Sequence, residues 1–515
     1  MKQFNKKFIL SFLTIISLLI VTLFSRLWRV AEAPASVNWD EAALGYNAYS
    51  MLKTGKDEFG KPFPVSLRSF DDYKPALYSY LSVVPIAIFG LGEISTRFTS
   101  ILAGTLLVFA VLYIAAKLSG NFRLGLMSGL FVAFSPWAMH FSRIAFESNL
   151  AAAIYFLAIA AFLKSPKLSL MLFILSMYAY HSQRAIALPT FVLLLWINKV
   201  RYRFKWNWIF LGLIPLAYSF LIEPAGSRLS STILLKLWPF VPAGYPWTVF
   251  SPLYAMSWQI VGQYLAYFSP INLFVKGSNE PILRIPTLGL LTIELMPLWI
   301  LGISGIFKKS KLNNYLRVIL ILAPLPAVIT WNWFSVVRTL AIYPAMAIIA
   351  ALGYKFLNKF WKLVFWGAFT LSGLYTLLTI GIYAPYETYG EFQPGFEQLV
   401  PYVLHKSNKY DEVDVDTGQA TPYIFFLFYG KYPPGKYLSE ARRDLKHTEN
   451  YGYRFGKFVF RKIDDYELYR KDVLLVGQTY RLKDSEINHI KKEREINVKD
   501  FYDPGGYISV RVVEL

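Results

Sequence analysis

The sequence contains no cysteine, and only 17% of its 515 residues are charged. Without cysteine the chain has neither disulfides nor thiolate metal ligands, so sulfur gives no information about its redox compartment. The charged fraction is too low, and the hydrophobic fraction of 55% too high, for a soluble protein of several domains. These two values indicate a membrane protein.

Long apolar runs are what the sequence has in abundance, and they recur through its first three quarters. A run of about 17 to 25 residues is the length that an α-helix needs to cross the hydrocarbon core. After residue 383 this pattern stops. We place eleven spans near residues 8–28, 97–116, 124–142, 149–163, 168–183, 186–198, 207–222, 287–306, 315–333, 337–354 and 363–382.

Three details of this count have alternatives. The first run precedes Ala31-Glu32-Ala33, which resembles a signal-peptide cleavage site, but the run is too long for a signal peptide and two arginines follow it. The stretch from Pro75 to Leu91 is short for a crossing, so we place it on or partly in the outer leaflet. Spans near 168–198 are short and broken by Pro189, which leaves twelve or thirteen spans as the alternative.

The formal net charge of +20 is distributed as the positive-inside rule requires, and not as a nucleic-acid-binding surface. With the amino terminus inside, the inside loops carry lysine and arginine but no acid. These loops are 117–123, 164–167, 199–205, 308–311 and 355–362. The acids before the tail fall outside, except Glu294, which is placed in a span. We therefore predict a multi-pass protein of the cytoplasmic membrane, with its carboxyl-terminal tail outside and no nucleic-acid partner.

The predicted fold class is an all-α polytopic membrane bundle with outer juxtamembrane helices and a small extracytoplasmic domain. The transmembrane domain covers residues 1–383, with a first outer loop at 29–96 and an outer loop rich in Trp and Tyr at 223–286. Residues 384–515 form the soluble domain, an α/β or α+β fold. Its predicted elements are strands at 411–416, 456–462, 472–477 and 507–514, and a helix or turn at 421–430.

The stretch "VNWDEAALGYNAYSMLKTGKDEFG", residues 37–60, places two adjacent acids, Asp40 and Glu41, after the first span. Asn38 and Glu41 have the spacing of a capping box, apolar residues follow at helical spacing, and Gly55 ends the segment. One interpretation is an amphipathic surface helix whose acids stabilise its own dipole by about 0.3 to 1 kcal/mol. The other is chemistry at the membrane surface, which the nearby Asp71, Asp72 and Lys74 favour.

The order of parts after the first span resembles that of GT-C glycosyltransferases. An Asp-Glu helix is followed by Lys74-Pro75 and then by Gly90-x-x-Glu93-x-x-x-Arg97 at the start of the second span. The protein O-mannosyltransferases and the lipid A aminoarabinose transferases are the most similar families. The resemblance is good over residues 1–150 and looser beyond, and the mannosyltransferases lack the tail from residue 384. The looser matches are at 135–149, 178–184 and 336–354.

This resemblance implies inverting transfer of a sugar from a polyprenyl-phosphate donor in the outer leaflet, among membrane lipids, to a glycan, lipid or protein acceptor. Such a transfer needs a carboxylate that takes the acceptor proton and cations that stabilise the departing phosphate. Asp40 falls on the family's catalytic aspartate, Glu147 matches a second acid, and Glu41 starts the helix or binds the acceptor. The implied phosphate-binding residues are Lys74, Arg97, Arg143, Arg184 and Arg338.

Each candidate also has a purely structural interpretation. An arginine at the end of a span can snorkel to lipid headgroups, and Glu147 with Arg143 can form an ordinary ion pair. His181 can bind a sugar hydroxyl or a metal, or be a hydrogen-bonded structural histidine. Aminoarabinose transferases have a zinc-binding acid before Lys-Pro, where this chain has Tyr73. We therefore predict no dedicated metal site and no certain cofactor, with a loosely held divalent cation left open.

A transporter or flippase of lipid-linked sugars is the alternative function, and a non-catalytic envelope scaffold is a third. A transporter needs ionisable residues near the bilayer midplane, where only Glu294 is placed. The sequence therefore favours a membrane glycosyltransferase that transfers a hexosyl or pentosyl group. It identifies neither the sugar nor the acceptor.

Overall fold

The contacts of the computed structural model divide the chain into two compact units. The first unit is Met1–Trp28 with Ser100–Gly381, and the second is Arg29–Thr99 with Ile382–Leu515. The first outer loop was predicted as part of the transmembrane domain, residues 1–383. In the structure it belongs to the same compact unit as the tail. The structure describes residues 2–70, 72–200, 212–214, 216–217, 250–330, 332–418, 421–441, 453–463 and 468–515.

Helices account for most of the described chain. In order the α-helices are α1 (Lys2–Leu27), α2 (Trp39–Thr54), α3 (Leu77–Phe89), α4 (Glu93–Ser119), α5 (Phe122–Ala133), α6 (Pro136–Arg143), α7 (Glu147–Phe162), α8 (Pro166–Ala179), α9 (Gln183–Ile197), α10 (Phe250–Ala266), α11 (Leu295–Ile306), α12 (Lys311–Leu322), α13 (Leu325–Val328), α14 (Tyr343–Gly353), α15 (Lys359–Leu378), α16 (Ala384–Glu387), α17 (Phe396–Lys406), α18 (Tyr423–Tyr429), α19 (Pro434–Glu440) and α20 (Asp484–Glu493). The strands are β1 (Ser66–Ser69), β2 (Asp72–Pro75), β3 (Glu412–Asp416), β4 (Tyr453–Phe455), β5 (Phe458–Arg461), β6 (Val473–Gly477), β7 (Asn497–Tyr502) and β8 (Ile508–Glu514).

Three described helices are long and apolar enough to cross a membrane, or four if one bent pair of helices forms a single span. The three lie at Phe8–Leu27, Glu93–Ser119 and Lys359–Glu387, and α5 with α6 forms a pair bent by 58°. The helices α7, α8, α9 and α11 are apolar but shorter. Their positions match predicted spans, whereas the number of spans and their orientation stay predictions. The predicted span at 207–222 lies mostly outside the described residues.

Small residues let two helices of the first unit pack at backbone distance. A Cβ atom on Gly302 of α11 would overlap the carbonyl of Ile349 in α14, and one on Gly353 would overlap that of Leu298. Helices in lipid associate through such close packing, because the apolar surroundings supply no hydrophobic drive between them. These two glycines therefore set the distance between α11 and α14.

The second unit contains a six-stranded mixed sheet in the order β4-β5-β3-β6-β8-β7. The central strand β3 is parallel to both of its neighbours, β5 and β6, while the other pairs are antiparallel. All four predicted strands of the tail are confirmed, as β3, β5, β6 and β8, and residues 423–429 form helix α18. The edge strand β7 was not predicted. Its residues are largely exposed and include charged side chains, so its sequence lacks the apolar alternation of a half-buried strand.

Helix α2 is buried on more than one side, so the prediction of an amphipathic surface helix is wrong. Nearly every residue from Glu41 to Met51 is buried. The apolar residues Ala42, Ala43 and Tyr46 share a core with α18 and the strands of the sheet. Ser79 of α3, on another side, donates a hydrogen bond of 2.9 Å to the carbonyl of Leu44. The unit thus holds the Asp-Glu helix rigidly from two directions.

Helix α3 carries an apolar stripe that the described protein leaves uncovered. Leu81, Val84 and Ile88 are 43%, 61% and 67% exposed and lie at helical spacing. The opposite face, with Tyr78, Ser82 and Ile86, is buried. Such a stripe suits the predicted position on or partly in the outer leaflet, which stays a prediction.

Only part of the predicted aromatic outer loop at 223–286 falls within the described residues. Tyr254 and Trp258 of α10 are 71% and 70% exposed, and their rings stack at 6.4 Å between centroids. Exposed amphipathic rings of this kind favour the headgroup zone, as predicted for this loop. The predicted aromatic residues Trp238, Tyr245 and Trp247 lie outside the described residues.

Candidate active site

The predicted capping box at the start of α2 is confirmed. The Asn38 side chain accepts a hydrogen bond of 2.9 Å from the Glu41 amide, and the Glu41 carboxylate accepts one of 3.2 Å from the Asn38 amide. Gly55 ends the helix with φ 70°, in the left-handed region that favours glycine. This cap fixes the first helical turn, from which Asp40 and Glu41 leave in directions about 100° apart.

Asp40 and Lys74, the predicted base and the first predicted phosphate ligand, are in contact. The Lys74 ammonium donates a hydrogen bond to Asp40 Oδ1. The lysine side chain is 8% exposed, whereas the aspartate side chain is 35% exposed. Lys74 also lies over the Phe70 ring, 5.9 Å from its centroid. The pair therefore presents its carboxylate outward and keeps its ammonium largely sheltered.

A short hairpin positions Lys74. Strands β1 and β2 pair in antiparallel register, which places Lys74 opposite Leu67. At the turn between them Phe70 has φ 58°, and the next residue, Asp71, lies outside the described residues. Asp72 begins β2, is half-buried, and accepts a hydrogen bond of 2.8 Å from the Tyr73 amide. Asp72 thus helps to shape the hairpin that carries Lys74.

Glu41 pairs with Arg97, and both side chains are fully buried. Nε and Nη2 of the guanidinium donate to the two carboxylate oxygens at 3.0 and 3.1 Å. The remaining donors reach the carbonyl oxygens of Val30 and Ser36 at 2.7 and 2.5 Å. Arg97 therefore ties the start of α4 to α2 and to residues 30–36, and its donors are engaged with protein acceptors.

A second group of acids, half-buried in the same unit, includes Glu93 of the predicted motif and Glu397, which sequence analysis did not find. Tyr429 donates a hydrogen bond of 2.8 Å to Glu93 and lies 2.8 Å from the Ser36 hydroxyl. Ser36 also contacts Glu397 at 3.5 Å, and Glu397 accepts a hydrogen bond of 2.9 Å from the Gly395 amide. Burial raises the pKa of the Glu397 carboxyl above its ordinary value. Glu397 is separated from Ser36 by 361 positions, so no local motif could have joined them.

Arg143, Glu147, His181, Arg184 and Arg338 lie in the first unit. Arg143 is buried at the end of α6 and donates to the carbonyl oxygens of Ser25, Arg26 and Trp28 at 3.2, 3.3 and 2.7 Å. Those carbonyls belong to the carboxyl-terminal end of α1, where a cation is favourable. The buried Glu147 begins α7. Arg143 therefore has a helix-capping role in this structure.

Arg184 and Arg338 are both half-buried. Arg184 Nε lies 3.4 Å from the carbonyl oxygen of Met177, and its buried Nη2 has no hydrogen-bond partner among the described residues. Arg338 donates to Thr330 at 2.5 Å. Burial raises the pKa of the Glu280 carboxyl, an effect that the charge of Arg338 partly opposes. Either arginine thus has hydrogen-bonding capacity for an anion.

His181 follows α8 and is half-buried, with its ring 6.3 Å from that of Tyr180. Its carbonyl oxygen accepts a hydrogen bond of 3.1 Å from the Arg184 amide. Within the described ranges, no three side chains of His, Asp or Glu come together to hold a metal ion.

Comparison with known proteins adds a family and a fold. Residues 16–167 match the model of the family described as dolichyl-phosphate-mannose-protein mannosyltransferase. ArnT from Cupriavidus metallidurans in the apo state is 12% identical, over 99% of this chain and 98% of that one, with a TM-score of 0.53. The same protein bound to undecaprenyl phosphate is 13% identical, over 97% of each chain, with a TM-score of 0.54. No curated protein is significantly similar in sequence.

The family match covers the capped helix α2, the Asp40–Lys74 contact and the Glu41–Arg97 pair, which are the features that carried the predicted resemblance. The structural similarity covers almost the whole chain, including its tail. The predicted resemblance is confirmed: the chain has the GT-C fold, and its residues 16–167 are similar to the protein mannosyltransferases.

Proposed function

We propose that this chain transfers a sugar from a polyprenyl-phosphate carrier to an acceptor, with inversion, at the outer face of the cytoplasmic membrane. The observation that carries the proposal is the contact between Asp40 and Lys74. It joins a partly exposed carboxylate to the kind of cation that binds phosphate. Transfer from a phosphate leaving group needs a base for the acceptor proton and a cation for the phosphate close together.

The reaction assigns one task to each member of this pair. An acceptor hydroxyl oxygen attacks the anomeric carbon, the bond from that carbon to the phosphate oxygen breaks, and the polyprenyl phosphate departs with the electron pair. Asp40 accepts the proton of the attacking hydroxyl. Lys74 stabilises the negative charge that grows on the leaving phosphate.

Lys74 can serve both groups at once. Its ammonium has three donors, of which one reaches Asp40 Oδ1. The partly exposed carboxylate keeps acceptor capacity for the hydroxyl proton, while the remaining donors of Lys74 can bind the donor phosphate.

Glu41 and Arg97 act in this proposal as positioning residues. The guanidinium is fully buried, and its donors are engaged with Glu41, Val30 and Ser36. A phosphate could reach it only by displacing these partners. The pair instead fixes the start of α2, and with it the position of Asp40. Arg184 and Arg338 stay candidate phosphate ligands, and Glu147, Asp72 and His181 stay candidates without an assigned step.

The transporter alternative rested on Glu294 as an acid near the bilayer midplane. The structure places Glu294 at the N-cap of α11 rather than inside the helix. There its carboxylate accepts a hydrogen bond of 2.7 Å from Ser372. Its side chain makes no capping hydrogen bond, but a carboxylate at a helix start that is bonded to Ser372 has a structural explanation, so the enzyme is the function that we propose.

The test is turnover of a labelled polyprenyl-phosphate sugar by the purified full chain. We expect Asp40→Asn to lower the rate by about 10² to 10⁴, the usual contribution of a general base. Asp411→Asn is the matched control, because Asp411 is an exposed aspartate of the same unit. Full turnover by Asp40→Asn, with unchanged thermal unfolding, would remove Asp40 as the base.

A further inference from the structure

The second unit contains a cavity of about 520 Å³ at the carboxyl ends of β3 and β6. Val415 and Asp416 of β3 line it, together with Val476 and Gly477 of β6 and residues 478–480 that follow that strand. The volume falls within the range of about 300 to 1,000 Å³ that is usual for small-molecule sites. The catalytic proposal above uses none of these residues.

The strand order makes this position a favoured one for a ligand. From β3 the chain goes to β5 on one side, and it later returns to form β6 on the other side of β3. The loops after β3 and β6 therefore diverge and leave a crevice between them. In open α/β sheets ligands bind at such a switch point, outside the carboxyl ends of parallel strands.

Aromatic rings line the cavity beside polar groups. Trp39, Tyr389 and Tyr480 contribute the rings, and Trp39 and Tyr480 are 37% and 42% exposed. Two glutamines, Gln393 and Gln478, also line it, and their side-chain amides supply hydrogen-bonding groups beside the rings.

The backbone holds these polar groups in place. Gln393 has φ 37°, a left-handed conformation that a non-glycine residue adopts at a cost and that is frequent at binding sites. The side chain of Asp416 is 3% exposed and accepts hydrogen bonds from the amides of Ile463 and Gly418 at 3.1 and 3.3 Å. The site is thus built before any ligand arrives.

The charge of the lining selects among ligands. Its charged members are Glu391, Asp416 and Asp503, and no lysine or arginine is among the described residues that line it. Arg481 lies beside the lining, with Nε 3.9 Å from Asp416 Oδ1, but the three carboxylates outnumber this one cation, which disfavours phosphates and other anions. Flat apolar rings, acceptor amides and carboxylates together suit a ligand with apolar faces and many hydroxyl donors, which is an uncharged sugar ring.

We propose that this cavity binds an uncharged sugar of the acceptor. Trp39 lines the cavity, and the next residue of α2 is Asp40, whose Cα atom lies about 3.8 Å further along the chain. One helix start therefore contributes both to the sugar site and to the candidate base. The assignment of the sugar to the acceptor rests on the proposed function, whereas sugar binding itself does not.

The first test measures binding without turnover. Saturation-transfer NMR with the purified full chain uses mannobiose, cellobiose and chitobiose as probes, and galacturonic acid as the anionic comparison. We expect at least one uncharged disaccharide to bind, and Gln478→Ala and Tyr480→Ala to weaken its binding at least tenfold. Gln398→Ala and Tyr502→Ala, at exposed positions of the same unit, are the matched controls. No binding of the three disaccharides, or equal binding by the Gln478 and Tyr480 variants, would overturn the proposal.

The second test assigns the sugar to the acceptor. We expect Gln478→Ala to raise the KM for the acceptor at least tenfold and to leave the KM for the donor unchanged. A rise in the donor KM alone would overturn the acceptor assignment. Binding is also measured in the Asp40→Asn variant, where we expect it to persist. If the Asp40→Asn variant keeps its activity and still binds the sugar, only the catalytic proposal is refuted. If Asp40→Asn is inactive but Gln478→Ala binds the sugar as wild type does, only the sugar site is refuted.

Discussion

Glu41 and Arg97 are 56 positions apart, are both fully buried, and share two hydrogen bonds. Each is the partner that makes burial of the other tolerable, because an ionised group left alone in the interior is very costly. The pair also explains why the two acids of the Asp-Glu sequence differ. The fully buried Glu41 supports the fold, whereas the partly exposed Asp40 is the residue that we propose as the base.

Removing one member of that pair should destabilise the second unit strongly. For Arg97→Ala we expect a loss of about 3 to 5 kcal/mol, because the Glu41 carboxylate stays buried without its charge partner. Thermal unfolding of the purified chain in detergent measures the change. Arg29→Ala is the control, since the Arg29–Glu32 pair is exposed at 40% and 63% and such pairs contribute little. Equal unfolding temperatures for Arg97→Ala and wild type would contradict the assigned role.

Replacing Lys74 should impair use of the donor. We expect Lys74→Ala to raise the donor KM and to lower the rate by about 10² or more, because the leaving phosphate loses its cation. Kinetics with a labelled polyprenyl-phosphate sugar measure both values. Lys53→Ala changes an exposed lysine on α2 and serves as the comparison. Wild-type donor kinetics in Lys74→Ala would exclude Lys74 as the phosphate ligand.

The stability of the second unit should fall as the pH rises above the ordinary value for glutamate. Burial raises the pKa of Glu397, so the folded state favours its protonated form. The contribution is complete below the unfolded pKa, near 4.5, and is lost as the pH rises through the folded pKa.

Glu397→Gln should remove this pH dependence, because the amide stays neutral and its oxygen can still accept from Gly395. Relative to wild type, we expect the variant to gain stability between pH 4.5 and neutrality. Unfolding curves at several pH values measure the difference, with the exposed Glu387→Gln as the control. A constant difference across this range would show that Glu397 does not titrate as stated.

The contact between α11 and α14 should tolerate no side chain at Gly353. We expect Gly353→Ala to lower stability by about 1 to 3 kcal/mol or more, because the new Cβ overlaps a backbone carbonyl that cannot rotate away. Gly305→Ala, on α11, is the matched control, since nothing lies within 4 Å of a Cβ atom there. Unfolding in detergent compares the two variants. A change in Gly305→Ala as large as that in Gly353→Ala would contradict the packing argument.

The sequence by itself determined the features that depend on local order or on composition. A membrane-spanning helix needs a long apolar run, and the capping box needs two residues three positions apart, so both could be predicted. The strands β3, β5, β6 and β8 were predictable for the same reason. The contact of Asp40 with Lys74 was accessible through the resemblance to known glycosyltransferases.

Tertiary structure alone decided which parts of the protein pack against each side of α2. Tyr46 donates a hydrogen bond to the carbonyl oxygen of Tyr432, which is 386 positions away. No local sequence pattern could predict such a distant partner. The polar positions of α2 therefore led to the prediction of a surface helix, whereas α2 lies in the core of the second unit. The cavity that we propose as a sugar site likewise depends on strand order. Side chains after β3 and β6 meet because the sheet brings together strands that are more than fifty residues apart in the chain.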